Sequence, residues 1–373
     1  MADRRRSGRR PRLPARRPHQ GRSRHPGRRR CPAGAAGPVS WTDVLSRAGY
    51  WDGGELLRVP TSGTTGGSPR VVVRTVESWV DSFEPFTRIS GISDTDVVAA
   101  VGPSSSMFVY ARAHAAHLGA RLVESERWHP GAIADATVAH LTPTMLHDVL
   151  EAQRDVPVPL GQGGLRLAVV AGAALGARTA ARAGHVGIDV LRYYGAAELS
   201  FVAMGRERLS PFPMVEVAER AGVLWVRSPW TADGYADGAS GPLLRDGRWC
   251  TVGDRGTVSH DGVVVVHGRE GWVVTGGLSV STAEIESVLR EAPGVTDCRV
   301  LGRPHDRLGQ VIAAVVVGGE RAQVSAHCRS RLPVAARPVH WFAADRLPAT
   351  SAGKPDDAAI VLAIETGEVR RWS

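Results

Sequence analysis

The sequence has no asparagine and only one lysine, Lys354, although 46 of its 373 residues are basic, so every other basic residue is arginine. Its four cysteines are widely spaced and form no C-x-x-C pair. This spacing argues against a zinc site or a disulfide framework and favours a reducing compartment such as the cytoplasm. No run approaches 18 consecutive apolar residues, so the sequence predicts no membrane-spanning helix.

The net charge of +9 comes entirely from the beginning of the chain. Residues 1–40 contain 13 arginines and one aspartate, whereas residues 41–373 contain 33 basic and 36 acidic residues. Segment 1–40 is rich in Arg, Pro and Gly and poor in large apolar residues, so we expect a disordered extension. Three alternatives stay open: an arm attracted to RNA or membranes, a targeting segment, and a stretch upstream of the true start. An export signal requires an apolar segment after the arginines, and none follows them here. Many nucleic-acid binders have aromatic residues interspersed with the basic ones, and this segment does not.

A stretch of small residues, TSGTTGGS at 61–68, is the first candidate binding motif. Such a run can bring backbone N–H groups and hydroxyls against phosphate oxygens without side chains in the way. Pro69 and the β-branched run 71–73 follow it, so the loop is predicted to join two strands. It therefore fits neither the P-loop nor the dinucleotide-binding fingerprint, and a plain surface turn is the alternative.

Strands and helices are predicted to alternate through the middle of the chain, which indicates an α/β body. Buried strands are predicted within 95–103 and 165–175, and a helix with Thr142 as its N-cap is predicted to start at Pro143. A strand within 187–200 is predicted to end in a turn that presents Tyr193, Tyr194 and Glu198. Residues 276–318 predict a helix capped by Ser281 with Glu284, then a strand, as in a small α+β module.

Five motifs in this order resemble those of the AMP-forming acyl-CoA synthetase, adenylation-domain and luciferase superfamily. They are TSGTTGGSPR (61–70), YYGAAE (193–198), TVGDRG (251–256), HGREGWVVTGGLSVSTAEIE (267–286) and LPATSAGK (347–354). The resemblance implies a shortened α/β adenylate-forming domain at 41–268 and a small mobile α+β domain at 269–373 that carries Lys354. It also implies ATP and Mg²⁺ as cofactors, and CoA or an acyl-carrier phosphopantetheine as the thiol.

The resemblance assigns a role to each candidate site residue. Lys354 would bridge the substrate carboxylate and the α-phosphate, a task that suits a compact ammonium better than a planar guanidinium. Glu198 would help hold Mg²⁺, and Thr64, the third catalytic candidate, would help hold the β- and γ-phosphates. The ATP and AMP contacts would be Thr61, Ser62, Gly63, Thr65, Gly66, Gly172, Ala173, Ala174, Tyr194, Gly195, Asp254 and Arg269. Within that set, Tyr194 would stack on adenine and Asp254 would accept from the ribose hydroxyls. The acyl pocket would lie near Met107, Phe108 and Phe201.

The chain departs from the superfamily pattern in several places. Arg70 stands where lysine is usual, Ala197 replaces a threonine that normally bonds a phosphate, and Gly271 occupies the hinge position of an Asp or Lys. The phosphate loop also begins much earlier than in typical members, as in compact o-succinylbenzoate-CoA ligases. The shortening would expose surface for another copy of the chain or a partner.

The sequence therefore predicts an ATP-dependent carboxylic acid–CoA ligase acting through an acyl-adenylate. The segment GPSSSMF at 102–108 offers no carboxylate for an α-amino group, so a fatty, aryl or other apolar acid is favoured over an amino acid. The alternatives are an adenylation protein that loads a carrier protein, and a degenerate homologue that binds nucleotide without turnover.

Overall fold

The computed structural model describes residues 39–61, 70–154, 159–161, 163–269, 271–349 and 355–372. The predicted disordered extension thus lies almost wholly outside the described residues. Within the described ranges, no helix has the length and apolar character needed to cross a membrane.

Helices and strands alternate through the first half of the described chain, and strands dominate the middle. The helices are α1 (Trp41–Arg47), α2 (Glu77–Val80), α3 (Phe83–Ser90), α4 (Ser106–Leu118), α5 (Pro143–Glu151), α6 (Ala177–His185), α7 (Thr282–Arg290), α8 (Arg321–Arg331) and α9 (Asp357–Thr366). Strands β1–β11 are β1 (Leu56–Pro60), β2 (Val71–Thr75), β3 (Val97–Val101), β4 (Arg121–Ser125), β5 (Val138–Leu141), β6 (Leu167–Val170), β7 (Asp189–Ala196), β8 (Ser200–Gly205), β9 (Ser210–Pro211), β10 (Glu216–Arg220) and β11 (Val223–Arg227). Strands β12–β22 are β12 (Gly234–Tyr235), β13 (Leu244–Asp246), β14 (Trp249–Thr251), β15 (Asp254–Val258), β16 (Val264–Arg269), β17 (Trp272–Thr275), β18 (Leu278–Ser281), β19 (Val295–His305), β20 (Gly309–Gly318), β21 (His340–Ala343) and β22 (Arg370–Arg371).

A seven-stranded sheet forms the centre of the α/β body, in the order β4-β3-β5-β6-β7-β8-β9. Strands β4, β3, β5, β6 and β7 are parallel, β8 is antiparallel to β7, and β9 is antiparallel to β8. All four residues of β5 and of β6 are buried, as expected for strands covered on both faces. One apolar core packs on one face around Phe86 and Val169, and another packs on the opposite face around Leu146 and Val170.

Two further sheets flank this body. Strands β1, β2 and β12 form a small antiparallel sheet, in which β2 is central. Strands β13, β14, β11, β15 and β16 form the second sheet, with β10 paired to β11. The β1–β2 pairing confirms that the loop at 61–68 joins two strands, since Pro60 lies opposite Val71.

The last hundred residues form the predicted α+β module. Its sheet has the order β18-β17-β20-β21-β22, with β19 paired to β20, and its core packs around Ile285, Val316 and Trp341. Ser281 accepts a hydrogen bond from the backbone of Glu284 at 3.4 Å, so the predicted N-cap of α7 is confirmed.

Most of the elements predicted from the sequence are confirmed. Thr142 caps α5 by accepting from the Met145 N–H at 3.3 Å, and the buried strands appear as β3 and β6. One local prediction is wrong: Tyr193 and Tyr194 lie within β7, paired with β8, and not in the following turn. The antiparallel ladder to β8, the next strand along the chain, extends β7 past both tyrosines.

The α+β module contacts the α/β body through ion pairs on its β19–β20 turn. The Arg307 guanidinium donates to both carboxylate oxygens of Asp148 on α5, at 2.7 and 3.1 Å. Asp306 lies 3.5 Å from Arg178 on α6. The boundary between domains at residues 268 and 269 stays a prediction.

Candidate active site

The candidate site lies along the carboxyl edge of the parallel strands. Strands β5, β6 and β7 run side by side in the same direction, so the segments that follow them meet at one edge. These segments are the start of α5 at Thr142, the loop at 171–175, and the turn that contains Glu198. In open α/β sheets, this edge is where ligands bind.

Three predicted residues lie in one hydrogen-bonded cluster at the end of β7. The Tyr194 hydroxyl donates to Asp254 Oδ2 at 2.8 Å, and Arg269 Nε donates to Asp254 Oδ1 at 2.8 Å. Asp254 and Arg269 are directly opposite each other on β15 and β16, which explains how residues 15 positions apart form an ion pair. The side chains of Asp254 and Arg269 are only 14% and 22% exposed, so the pair is largely shielded from water.

The electrostatics of the cluster keep the tyrosine protonated. Burial, the negative charge of Asp254 and the hydrogen bond to it raise the pKa of Tyr194 well above its ordinary value. The hydroxyl therefore remains a donor to Asp254 at neutral pH, and the ring is held in one orientation. A carboxylate has about four lone-pair sites, so Asp254 can still accept from further hydroxyls.

Two glycines shape the backbone next to this cluster. Gly195 follows Tyr194 at a bulge, and a Cβ there would overlap the carbonyl of Ser200. Gly271 has a φ of +75°, a left-handed conformation that non-glycine residues rarely adopt. It connects β16 to β17, where Trp272 lies under the Arg269 guanidinium at 5.5 Å from the ring centroid.

Glu198 lies in the turn between β7 and β8 and is 6% exposed. Its Oε1 accepts a hydrogen bond from the Tyr235 hydroxyl at 2.8 Å, and its backbone carbonyl accepts from the Ala232 N–H at 2.8 Å. Among the described residues, this carboxylate forms no ion pair, and its side-chain partner is the neutral Tyr235 hydroxyl. Arg74 interacts with it over a longer distance: burial lowers the pKa of Arg74 to about 9, and the charge of Glu198 is one of three effects that oppose this lowering.

The phosphate loop lies mostly outside the described residues. The undescribed residues include Ser62, Gly63, Thr64, Thr65 and Gly66 of the loop. Lys354 also lies outside the described residues, so the predicted roles of all six stay predictions. Thr61 and Arg70 flank the loop, and the Thr61 N–H donates to the Arg70 carbonyl at 2.8 Å, which brings the loop ends together. The Thr61 hydroxyl oxygen is buried and has no hydrogen-bond partner among the described residues.

The loop after β6 carries the predicted adenine shelf and faces the α+β module. Gly172 has a φ of +88°, and Gly172 and Ala174 are exposed. A Cβ on Gly309 would lie 3.8 Å from the Ala174 carbonyl oxygen, and one on Gly277 would lie 3.2 Å from Thr142 Cγ2. The turns of the α+β module therefore lie against this edge of the sheet.

The predicted acyl-pocket residues are located in the apolar interior. Phe108 is 2% exposed and lies against Gly102, where a Cβ would overlap its ring, and Met107 packs beside it. Phe201 is 5% exposed and stacks on Phe86 with 5.2 Å between ring centroids. Their role in binding an acyl group stays a prediction.

Two histidines, His114 and His140, are buried beside the same aromatic cluster. His114 Nε2 lies 2.7 Å from the Thr87 hydroxyl, and His140 has no hydrogen-bond partner among the described residues for either ring nitrogen. Burial lowers the pKa of each to about 3, and for His114 the neighbouring His140 and His117 add to the effect.

Sequence analysis missed two residues next to Glu198, namely Arg74 and Tyr235. Arg74 is fully buried on β2, in a segment that alternates between inward and outward positions. An arginine at an inward position of a β-branched run was a detectable signal. For Tyr235 no local signal exists, because its contact with Glu198 spans 37 residues.

Comparison with known proteins agrees with this site. A family model for the AMP-binding enzyme matches residues 59–236, and one for the AMP-binding enzyme C-terminal domain matches residues 284–354. Together they cover the segments that carry Tyr194, Glu198 and Lys354.

Individual relatives come from the same group. The chain is 29% identical over 343 residues to the uncharacterized acyl-CoA ligase YhfT of Bacillus subtilis, over 84% of this chain and 67% of YhfT. It is 33% identical to a probable 2-succinylbenzoate–CoA ligase of Mycobacterium tuberculosis, over 48% of this chain and 49% of that protein. A structure of o-succinylbenzoate CoA synthetase from Bacillus subtilis shares the fold, with a TM-score of 0.68, 23% identity and coverage of 82% of this chain and 68% of that one.

The chain thus spans between about half and two thirds of the length of these relatives. Both family models match in the expected order, the fold is that of adenylate-forming enzymes, and the Tyr194, Asp254 and Glu198 side chains lie at the ligand-binding edge of the sheet. Residues 59–236 therefore match the AMP-binding enzyme family, and residues 284–354 match its C-terminal domain.

Proposed function

We propose that this protein is an ATP-dependent carboxylic acid–CoA ligase that works through an acyl-adenylate. The observation that carries the proposal is the cluster of Tyr194, Asp254 and Arg269 at the carboxyl edge of the sheet, beside the loop at 171–175. An aromatic ring, a carboxylate and a guanidinium converge there, and these suit an adenine, a ribose and a phosphate respectively. The relatives named as CoA ligases support the same reaction class.

The proposed reaction has two steps. The substrate carboxylate attacks the α-phosphate of ATP, so that a carboxylate O–P bond forms and the bond to the β-phosphate breaks, releasing pyrophosphate. The CoA thiol, after losing its proton, then attacks the acyl carbon and AMP leaves. The first step needs donors held in place where negative charge collects on the phosphates.

The roles of the described residues follow from their positions. Asp254 accepts from the ribose hydroxyls on the lone pairs that Tyr194 and Arg269 leave available. The Tyr194 ring, fixed by its hydroxyl, stacks on adenine beside the backbone of Gly172, Ala173 and Ala174. The phosphates lie toward the loop at 61–68, whose base offers the buried Thr61 hydroxyl.

The Glu198 carboxylate fits a magnesium ion. Mg²⁺ usually keeps several waters and binds one or two carboxylates together with substrate phosphates. Glu198 is buried, accepts only a neutral hydroxyl among described side chains, and no cluster of three or more metal-ligating side chains occurs in the described ranges. When bound, Mg²⁺ would offset the charge on the phosphate oxygens.

The acyl substrate is proposed to be a fatty, aryl or other apolar carboxylic acid. Met107 and Phe108 at the start of α4, and Phe201 on β8, supply apolar surface. The segment at 102–108 carries no charged side chain that could pair with an amino group.

The test is pyrophosphate release with ATP and Mg²⁺ over a panel of fatty, aryl and amino acids, with and without CoA. Wild type is expected to release pyrophosphate only when its acid is present, and more rapidly with CoA. Release that responds to a carrier protein but not to CoA would favour carrier loading. ATP binding without release over a broad panel would favour a degenerate homologue.

Lys354→Ala supplies the matched variant, and Lys354→Arg tests the requirement for an ammonium. Both are expected to reduce adenylation by roughly 10²–10³-fold, the range seen when one donor to a developing charge is lost. Thioester formation from supplied acyl-adenylate is expected to continue in both variants. Equal loss of the two half-reactions would contradict the role assigned to Lys354.

A further inference from the structure

Arg74 is a fully buried cation that bonds to three separate segments of the chain. Its Nε donates to the Ser78 hydroxyl at 2.9 Å, and its Nη1 donates to the Ala197 carbonyl at 3.0 Å. Its Nη2 donates to the carbonyls of Ser78 and Trp230. Because a guanidinium has five N–H donors in a rigid fork, it can hold these groups in a fixed arrangement.

Two of the carbonyls that Arg74 holds belong to segments that fix Glu198. Ala197 directly precedes Glu198 in the turn after β7. Trp230 precedes Ala232, whose N–H donates to the Glu198 carbonyl at 2.8 Å. Arg74 therefore holds two backbone segments next to Glu198: the residue before it in the chain, and the 230–232 segment that bonds its carbonyl.

The carboxylate itself is held by Tyr235, which lies on the strand paired with β2. The Tyr235 hydroxyl donates to Glu198 Oε1 at 2.8 Å and accepts from the Leu243 N–H at 3.2 Å. Tyr235 lies opposite Val72 on β2, two residues before Arg74. Gly241 packs against the tyrosine ring, where a Cβ would overlap it, so the ring has one position.

Both groups therefore act on the Glu198 turn from β2 and its partner strand. Tyr235 bonds the carboxylate, and Arg74 bonds the backbone beside it. We propose that Arg74 and Tyr235 are positioning residues that fix the Glu198 carboxylate at the carboxyl edge of the sheet, with its second oxygen left for the metal. This inference rests on the proposed function of Glu198.

Electrostatics agree with a positioning role. Burial lowers the pKa of Arg74 to about 9, against the opposing effect of Asp233, Tyr110 and Glu198, so the guanidinium stays charged at neutral pH. Burial and the charge of Glu198 raise the pKa of Tyr235, so its hydroxyl remains a donor. The donated hydrogen bond directs Oε1 to the tyrosine, and no described side chain donates to the second oxygen.

Tyr235→Phe tests the proposal because it removes one hydroxyl and keeps the ring. The measurement is the dissociation constant of Mn²⁺–ATP from the protein, followed by water-proton relaxation without any carboxylic acid, so that turnover plays no part. Loss of a group that orients a metal ligand typically costs 10–100-fold in metal affinity, and we expect about tenfold weaker binding. ATP binding in EDTA is expected to remain unchanged, which a general loss of structure would not produce.

Tyr110→Phe is the matched control, since its buried hydroxyl also lies 2.8 Å from one partner, which is the Ser82 hydroxyl and not Glu198. It is expected to bind Mn²⁺–ATP as wild type does. Equal affinity in Tyr235→Phe and wild type would overturn the positioning role and leave the proposed function intact. A wild type that binds ATP equally with and without metal would overturn the metal role of Glu198, and the positioning proposal with it.

Arg74→Lys tests the other half of the proposal. An ammonium keeps the charge but cannot span the Ala197 and Trp230 carbonyls as the fork does. We expect a loss of Mn²⁺–ATP affinity in the same direction as for Tyr235→Phe, and wild-type affinity would remove Arg74 from the proposal. If this variant does not fold, Tyr235→Phe decides the proposal by itself.

Discussion

Asp254 and Glu198 each accept a 2.8 Å hydrogen bond from a tyrosine hydroxyl, but their charges are balanced differently. Asp254 also forms an ion pair with Arg269 at 2.8 Å. Among the described residues, Glu198 has no such ion pair, and its only described side-chain donor is the neutral hydroxyl of Tyr235. One carboxylate is therefore neutralised within the protein, whereas the charge of the other remains available.

This difference separates two kinds of ligand contact. A neutralised carboxylate with spare lone pairs suits neutral donors such as ribose hydroxyls, which need no net charge. A buried carboxylate without a cation suits a partner that brings its own charge, because an unpaired buried charge is costly. The comparison thus supports a ribose contact for Asp254 and a metal contact for Glu198, and the predictions below test each side.

The largest effect is expected for Glu198→Gln. Glutamine keeps an oxygen that can accept from Tyr235 but removes the charge that would hold the metal. We expect pyrophosphate release to fall roughly 10²–10³-fold, while thioester formation from supplied acyl-adenylate continues. Two results together would contradict the metal role of Glu198. The first is a ratio of wild-type rate to variant rate that does not change when the Mg²⁺ concentration is raised, and the second is equal ATP binding by wild type with and without metal.

A second large effect concerns the two buried histidines, His114 and His140. The folded pKa of His114 and of His140 is about 3, so between pH 6.5 and 3 the unfolded chain binds protons that the native state does not. Stability is therefore complete above about pH 6.5 and falls with acid, by about 1.4 kcal/mol per pH unit for each histidine. Urea unfolding between pH 7 and pH 5 measures the slope.

The variant for this test is His140→Leu, with the exposed His185→Leu as control. His140→Leu is expected to reduce the slope of the free energy of unfolding against pH by about 1.4 kcal/mol per pH unit, which corresponds to one proton. The control is expected to leave the slope unchanged. An unchanged slope in His140→Leu would show that other groups determine acid sensitivity.

A smaller effect is expected for Asp254→Asn. The substitution removes the ion pair with Arg269 and one charged acceptor, and a hydrogen bond to a charged group contributes about 1.5–3 kcal/mol. We therefore expect ATP affinity to fall about tenfold or more, with no change in the ratio of metal-dependent to metal-free binding. Asp246→Asn is the control, because Asp246 forms an exposed ion pair with Arg220 at 2.8 Å, and exposed pairs contribute little. Equal ATP affinity in Asp254→Asn and wild type would contradict the ribose contact.

Local patterns in the sequence were sufficient for most of the fold. Thr142 and Pro143 predicted the start of α5, and the β-branched run 71–73 predicted β2, because caps and alternation act over a few residues. Tyr193 and Tyr194 were wrongly placed in a turn, because their ladder with β8 depends on residues that follow the turn.

The candidate site could be predicted only as separate residues. Tyr194, Glu198, Asp254 and Arg269 were identified from motif order, and the structure shows that three of them share one hydrogen-bonded cluster. Arg74 could have been identified as a charge at an inward strand position, but its partners could not. Lys354 and the centre of the phosphate loop lie outside the described residues, so their contacts stay predictions.

The sequence by itself determined the likeness to AMP-binding enzymes, the order of the elements and the chemical groups available to the site, because these depend on residue type and short-range pattern. Only the tertiary structure decided how those groups are paired: Tyr194 with Asp254, Tyr235 with Glu198, and Arg74 with the backbone around Glu198. These contacts join residues 37 to 123 positions apart, so they arise from strand pairing and packing, which no local pattern encodes.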